Sequence, residues 1–351
     1  MKTVARMALQ KGMVIGEDVL DYQGRLIYKA GTEVDELVIE KLKHFSIVAV
    51  SILEEIDYAK THYEKIRFDN NFKAFEILYA ESIRRYKTLI QSLIQSKTKI
   101  DNTKLMSIYY DIRAAVPSNN ALFDYLYNLV PTEEIMTYSH CLNSALIAGV
   151  FSEWLGLRDH QKNLLILCGF YYDIGKLMLP YDLLWKPGRL SPEEYQLLQS
   201  HTMNGYLIVK DLEIDEHIKN AVLQHHERMD GTGYPQRRKS NEIDVCAKYL
   251  SIIDTYEAMA SPRVWRGSIP PLRIIETFEY ESYKYDMEIL LPLLKRIADA
   301  QIGTRICLSD ESEWEVFIIN PTKLSRPLLK NEQSEILDLM KRPDLVIEKM
   351  A

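Results

Sequence analysis

LLILCGFYYDIGKLMLP, residues 164–180, puts a carboxylate and a cation where the chain is otherwise apolar. Asp173 and Lys176 are the only charges in that run. A buried acid is costly unless it is paired or bound to a metal. The run is rich in helix-forming apolar residues up to Tyr172 and predicts a helix over 159–172. An acid at its end therefore points into a helical interior, and the partners of that acid must come from other helices.

A second acid of the same kind is Asp254, inside YLSIIDTYEAM. The chain has eight histidines; His44, His62 and His160 read as peripheral, and the other five stand in the helical block. His140 stands near the start of a predicted helix in MTYSHCLNSALIAG, and His201 stands in QSHTMNG, read as the middle of an amphipathic helix. Each alone is as well explained as a core or capping histidine. His225 and His226 end a further helix and run into a glycine-rich loop, for which a solvated HHER turn is the plain alternative. Adjacent helical residues point about 100° apart, so these two suit two different ions, or one ion and an outer role. His217, in the polar stretch DEHIKN, reads as exposed.

Four histidines (His140, His201, His225, His226) and two carboxylates (Asp173, Asp254) on separate helices make a dinuclear metal site in a helical bundle. Imidazole with carboxylate suits iron, manganese or zinc better than magnesium. Asp173 has two oxygens and can bridge two ions. Two such ions ~3.5–4 Å apart act as a clamp for phosphoryl chemistry. Lys176 lies one turn beyond Asp173 on the same predicted face. It can hold a phosphate as a point charge.

The surrounding chain divides by pattern. In residues 1–54, MVIGEDVL and RLIYKAG flank Gly24 and read as short strands, VDELVIEKLKHF as a helix and SIVAVSIL as a strand. This predicts a small α+β domain. Residues 55–130 carry helical runs with no chemistry, read as packing helices or a homodimer surface. Residues 131–300 carry the candidate site on helices expected over 134–155, 159–172, 191–210, 214–226, 242–260 and 270–300. Ser191, Pro192 and Glu194 form a capping box at the start of the third. In residues 301–351, TRICLSD and WEVFIIN read as a strand pair, followed by a short helix near 332–340. The fold class expected is mainly α, a helical bundle with an α+β domain before it and a β-rich appendage after it.

The 351 residues are 47% hydrophobic with net charge −7, an ordinary globular balance that argues against a DNA or RNA polymer as main ligand. The four cysteines form no CxxC pair, so a disulfide framework and a zinc ribbon are not expected. No run of ~18 uncharged apolar residues occurs, so no membrane span is expected. A cytoplasmic location follows as the expectation.

YDIGK, KPGRLSPEEY, HHERMDGTGYP, DTYEAM and PRVWR, read in that order from residue 172 to 266, resemble the HD-GYP subgroup of the HD phosphohydrolases. The resemblance covers about residues 130–300. It implies an all-helical bundle with a centre of two or three iron or manganese ions, and hydrolysis of cyclic di-GMP to the linear dinucleotide or GMP. Carried over, the ligands are His140, Asp173, His201, His225, His226 and Asp254. Lys176 holds a phosphate, Arg263 contacts substrate, and Tyr234 shapes the pocket on a loop that Gly231 and Gly233 permit.

Two positions depart from that pattern. Tyr172 stands where the HD signature has its histidine. Met136 stands where three-metal members carry a glutamate, so no third ion is expected. A phenol ligates well only beside a strong Lewis acid, because its ordinary pKa is ~10. Three outcomes are open for Tyr172: ligation, a more weakly held metal with water in the gap, or loss of that metal. The last would keep the fold as a cyclic di-GMP receptor.

Overall fold

The computed structural model describes residues 2–21, 24–53, 65–96, 100–184, 186, 188–262 and 268–350. Arg263 and the expected boundary near residue 54 lie outside them. Contacts cluster the chain into two units, Met1–Lys65 and Ile66–Ala351.

The first unit contains strands β1 (Lys2–Ala5), β2 (Val14–Ile15), β3 (Val19–Leu20) and β4 (Leu26–Tyr28), helix α1 (Glu36–His44) and strand β5 (Ala49–Leu53). The sheet runs β1-β5-β2, and β3 and β4 form a separate antiparallel pair. Asp35 caps α1 by accepting from the Val38 amide at 2.7 Å. Ile15, Val34, Leu42, Val50 and Ile52 form the core between helix and sheet. MVIGEDVL is not one strand, because it splits into β2 and β3. Strand β1 went unread, since its partner β5 lies some forty-five residues away and local pattern cannot supply it.

The second unit begins with α2 (Asn70–Ser96), α3 (Asn102–Ala114) and α4 (Asn119–Asn128). In α2 the residues Phe72, Phe75, Tyr79, Ile83, Tyr86, Ile90 and Leu93 are all buried. Their three- and four-residue spacing is one helix stripe. That stripe packs on α5 (Met136–Trp154), and α3 packs on α6 (Asp159–Tyr171). Helix α5 is buried from Tyr138 through Ser152, on every face. It is therefore the central helix of the bundle. Gly169 of α6 lets it lie directly on α5, since a Cβ there would meet the Ala145 Cα at 2.6 Å.

The chain then runs through a 3₁₀ turn (Ile174–Met178), α7 (Tyr181–Leu184), α8 (Pro192–Gln199), α9 (His201–Val209), α10 (Glu216–Gln224) and α11 (Val245–Ala260). The helix expected over 191–210 is two helices. They break at Ser200, whose hydroxyl bonds the Leu197 carbonyl at 2.6 Å. His201 is thus the first residue of α9 and not the middle of a helix. The segment 270–300 is likewise two helices, α12 (Pro271–Tyr280) and α13 (Met287–Asp299). Buried Tyr285 packs on Phe278 and Asp286 caps the restart, which together outweigh helix continuity there.

Strands β6 (Arg305–Leu308), β7 (Glu313–Ile318), β8 (Leu328–Lys330), β9 (Ile336–Asp338) and β10 (Ile347–Met350) form an antiparallel sheet in the order β10-β6-β7-β8-β9. The helix expected near 332–340 is β9 and a 3₁₀ turn. The ladder of β9 on β8, with Leu329 opposite Leu337, overrides a pattern too short to hold a helix. Among the described residues no helix is long and apolar enough to cross a membrane. The architecture is mainly α, with a helical region that follows a small α+β unit along the chain and precedes an antiparallel sheet.

Gly175 and Gly205 set the approach of the 3₁₀ turn to α9. A Cβ on Gly175 would lie 1.9 Å from the His201 carbonyl oxygen and 2.5 Å from the Gly205 amide nitrogen. Both obstacles are backbone, so something must shift. Gly175→Ala is expected to cost about 1–3 kcal/mol, the usual range for overpacking. A thermal melt of the purified variant checks this, and an unchanged melting temperature contradicts it.

Candidate functional site

Six side chains from five elements meet in the bundle interior. They are His140 from α5, Asp173 at the end of α6, His201 from α9, His225 and His226 after α10, and Asp254 from α11. Two groups have ligand-type atoms within 4.8 Å of one another: His140, Asp173 and Asp254, and His201, His225 and His226. Asp173 lies between them. Its Oδ2 is 3.3 Å from His140 Nε2, and its Oδ1 is 3.3 Å from His201 Nε2 and 3.9 Å from His225 Nε2.

The second group is oriented by backbone. His201 Nδ1 sits 2.6 Å from the Leu198 carbonyl, and His225 Nδ1 sits 3.0 Å from that of Val222. A ring nitrogen facing a carbonyl must be the N–H, which leaves Nε2 with the lone pair. The two Nε2 atoms are 3.3 Å apart. Burial holds both rings neutral, with pKa values pushed down to about 3 for His201 and about 4 for His225. The pKa of His226 is lowered as well, by burial and then by His225. Two converging lone pairs beside a carboxylate form a cation site in their donor chemistry.

Asp173 has the matching defect. It is fully buried, and neither oxygen has a hydrogen-bond partner among the described residues. Lys176 Nζ lies 2.5 Å from Oδ2 as an ion pair. The helix expected over 159–172 ends at Tyr171, and Lys176 reaches Asp173 through the 3₁₀ turn, where residues three apart eclipse. Burial opposes the charge on Lys176, but Asp173 and Asp254 outweigh it and hold its pKa up. The orphaned carboxylate and the converging nitrogens fit one or more transition-metal ions.

Around His140 the chain supplies a partner that the sequence reading missed. Glu257, buried on α11, takes the hydrogen bond from His140 Nδ1. Its other oxygen accepts from Asn143 at 2.9 Å and from Ser261 at 2.5 Å, and Asn143 in turn accepts from Tyr79 at 2.6 Å. Burial works against a proton on His140, yet Glu257 and Asp254 raise its pKa to about 9. A carboxylate on the far nitrogen orients a ligating histidine. Glu257 is an acid inside an apolar helix, the same signal that picked out Asp254, so it was there to be read. In Glu257→Gln the amide cannot accept on both sides. Metal affinity is expected to fall about 10–100-fold, with the melting temperature of the metal-free protein little changed. Metal titration followed by calorimetry checks this, and unaltered affinity would remove Glu257 from the site.

Tyr172 is fully buried beside His140. Its hydroxyl lies 2.5 Å from His140 Nε2, 2.9 Å from Ser144 Oγ and 3.3 Å from Asp254 Oδ1. Burial, then Asp254 and Asp173, push the phenol pKa up.

A cavity of about 660 Å³ opens onto Lys176, His140, His226 and Asp254, with Met136 and leucines such as Leu177 and Leu198 on its walls. The GTGYP loop borders a separate cavity of about 530 Å³. Tyr234 stacks on His226 at 4.6 Å, so it supports the ring and lines the second cavity, not the first. Glu227 pins the loop by accepting from the Gln236 and Arg238 amides at 2.7 and 3.0 Å. A Cβ at Gly233 would strike the His226 carbonyl at 2.4 Å. That is the close approach the loop requires.

Residues 121–289 match the family model described as HD domain. A cyclic di-GMP phosphodiesterase of Thermotoga maritima is 30% identical over 47% of this chain and 47% of that protein. A 3'3'-cGAMP-specific phosphodiesterase 1 of Vibrio cholerae is 29% identical over 44% of this chain and 36% of that protein. The chain thus spans half or less of the length of these relatives. Among solved structures, an HDG"Y"P protein from Bdellovibrio bacteriovorus aligns over 84% of this chain and 99% of its own, with a TM-score of 0.49 and 16% identity.

Proposed function

We propose that the helical unit is a metal-dependent phosphodiesterase that opens cyclic di-GMP, working through an altered dinuclear site. The observation that carries this reading is Asp173, a fully buried carboxylate that lies between two sets of metal-type ligands with one ion pair, to Lys176. His140, Asp173, His201, His225, His226 and Asp254 would hold two iron or manganese ions, with zinc as the other candidate. Such ions, when bound, supply Lewis acidity for in-line displacement at phosphorus. The protein's own residues do the rest. Lys176, at the cavity edge, takes a phosphate oxygen as a point charge. The leucine walls exclude water and pack a base. Tyr234 holds the His226 ring, and Arg263 contacts the substrate.

The relatives named for cyclic dinucleotides support the substrate class. The test is nucleotide separation after incubation with anaerobically iron- or manganese-loaded protein, with cyclic di-GMP and 3'3'-cGAMP offered in parallel. Linear product from cyclic di-GMP that requires metal is expected. Turnover of cGAMP alone would move the substrate assignment and keep the reaction class.

One observation favours a second reading. In this reading Tyr172 stands at the position of the HD histidine, and its hydroxyl sits 2.5 Å from the His140 nitrogen that a metal would need. A protein that keeps this contact is a receptor, which binds the nucleotide and returns it intact.

A further inference from the structure

We propose that His217, Asp244 and Cys246 form a second cation site, separate from the first, that takes a zinc-type ion and ties together the helices carrying the catalytic cluster. The three ligand-type atoms lie within 4.8 Å of one another. His217 Nδ1 is already 2.8 Å from Asp244 Oδ2. Nitrogen, oxygen and sulfur donors together suit zinc and its neighbours, not magnesium or calcium.

The placement argues for a clamp. His217 is in the first turn of α10, eight residues before His225. Cys246 is in the first turn of α11, eight residues before Asp254. Eight residues of helix are about 12 Å, so the two sites are distinct. A third helix joins here. Buried Cys168, on α6, has its pKa raised by burial and then by the neighbouring Cys246. The Tyr172 amide bonds the Cys168 carbonyl, directly before Asp173. The Asp244 amide also bonds Gln224, the residue before His225, at 2.8 Å.

Helix capping accounts for part of this arrangement. Asp244 caps α11 through the Cys246 amide at 2.9 Å and accepts from Asn220 at 3.2 Å. A cap needs only that carboxylate. It does not call for a free thiol and an imidazole converging on it. His217 is half exposed while Asp244 and Cys246 are nearly buried. That leaves a way in from solvent and room for a water as fourth ligand. On binding, Cys246 loses its thiol proton to solvent and forms the metal–sulfur bond. His217 moves its proton from Nδ1 to Nε2, and Asp244 exchanges its hydrogen bond from His217 for the ion. Zinc bonds of ~2.0–2.3 Å require the three ligands to draw closer. His217, being exposed, is the one free to move.

The test is titration of metal-free full-length protein with cadmium or cobalt, reading the thiolate-to-metal charge-transfer band. One equivalent should produce the band in the wild type and in Asp173→Ala, whose catalytic cluster is disabled. The band should vanish in Cys246→Ser and weaken in His217→Ala. It should persist in Cys141→Ser, which controls for the buried thiol next to His140 in the chain. A wild type without the band, a band that survives Cys246→Ser, or a band lost with Asp173 would each overturn the proposal. If Cys246→Ser does not fold, the exposed His217→Ala change decides alone. As a second readout, zinc should raise the melting temperature of Asp173→Ala but not of Asp173→Ala combined with His217→Ala.

Discussion

Asp173→Ala protein will retain no stoichiometric iron or manganese and will not open a cyclic dinucleotide. Its loss of turnover should reach at least about 10³-fold, the upper end of what removing one electrostatic stabiliser costs. The reason is position. Asp173 reaches His140 with one oxygen and His201 with the other, so its removal takes the carboxylate from both groups at once. It also leaves Lys176 without its ion-pair partner beside the cavity. The checks are elemental analysis of protein purified anaerobically and product separation by chromatography. Full metal content in this variant would sink the dinuclear reading, whatever happened to turnover.

Tyr172→His is the second large effect, and it runs the other way. The wild-type hydroxyl contacts His140 Nε2, Ser144 and Asp254. An imidazole there would bring a lone pair where the phenol brings a hydroxyl. Metal retention is expected to rise at least about tenfold, a gain of ~1.4 kcal/mol. In the enzyme reading, turnover rises with it. In the receptor reading, the variant acquires turnover that the wild type lacks. A variant that loses metal and turnover together, as Asp173→Ala should, would mean that Tyr172 already serves the site in a way histidine cannot replace.

Much of the site could be read because its signals are local. Asp173 and Asp254 are acids in apolar runs, and HHERMDGTGYP is a contiguous motif. The two acids and the motif's His225 and His226, with His140 and His201, form two adjoining groups with Asp173 between them. Their outer partners were harder to find. His140 and Glu257 are 117 positions apart, and Tyr79 and Asn143 are 64 apart. No periodicity links such pairs. The helix breaks were missed for a related reason. Ser200 sits in a sequence that would continue as helix. The break is set where the backbone of Gly175 presses against His201 and Gly205. A tertiary contact of that kind outweighs the weak preference of any one residue for helix.

By itself the amino-acid sequence determined the mainly α class and the α+β and β-rich regions flanking the bundle, and it singled out the acids and histidines that meet in the interior. Those follow from hydrophobic period, from the cost of burying charge and from turn residues, all of which act over a few positions. Only the tertiary structure decided that Tyr172 points at His140, that Glu257 stands behind it, that Tyr234 serves the His226 ring, and that His217 meets Cys246. Each of these depends on which helix faces lie together, and that is fixed by packing the bundle around α5 and not by the order of residues along any one helix.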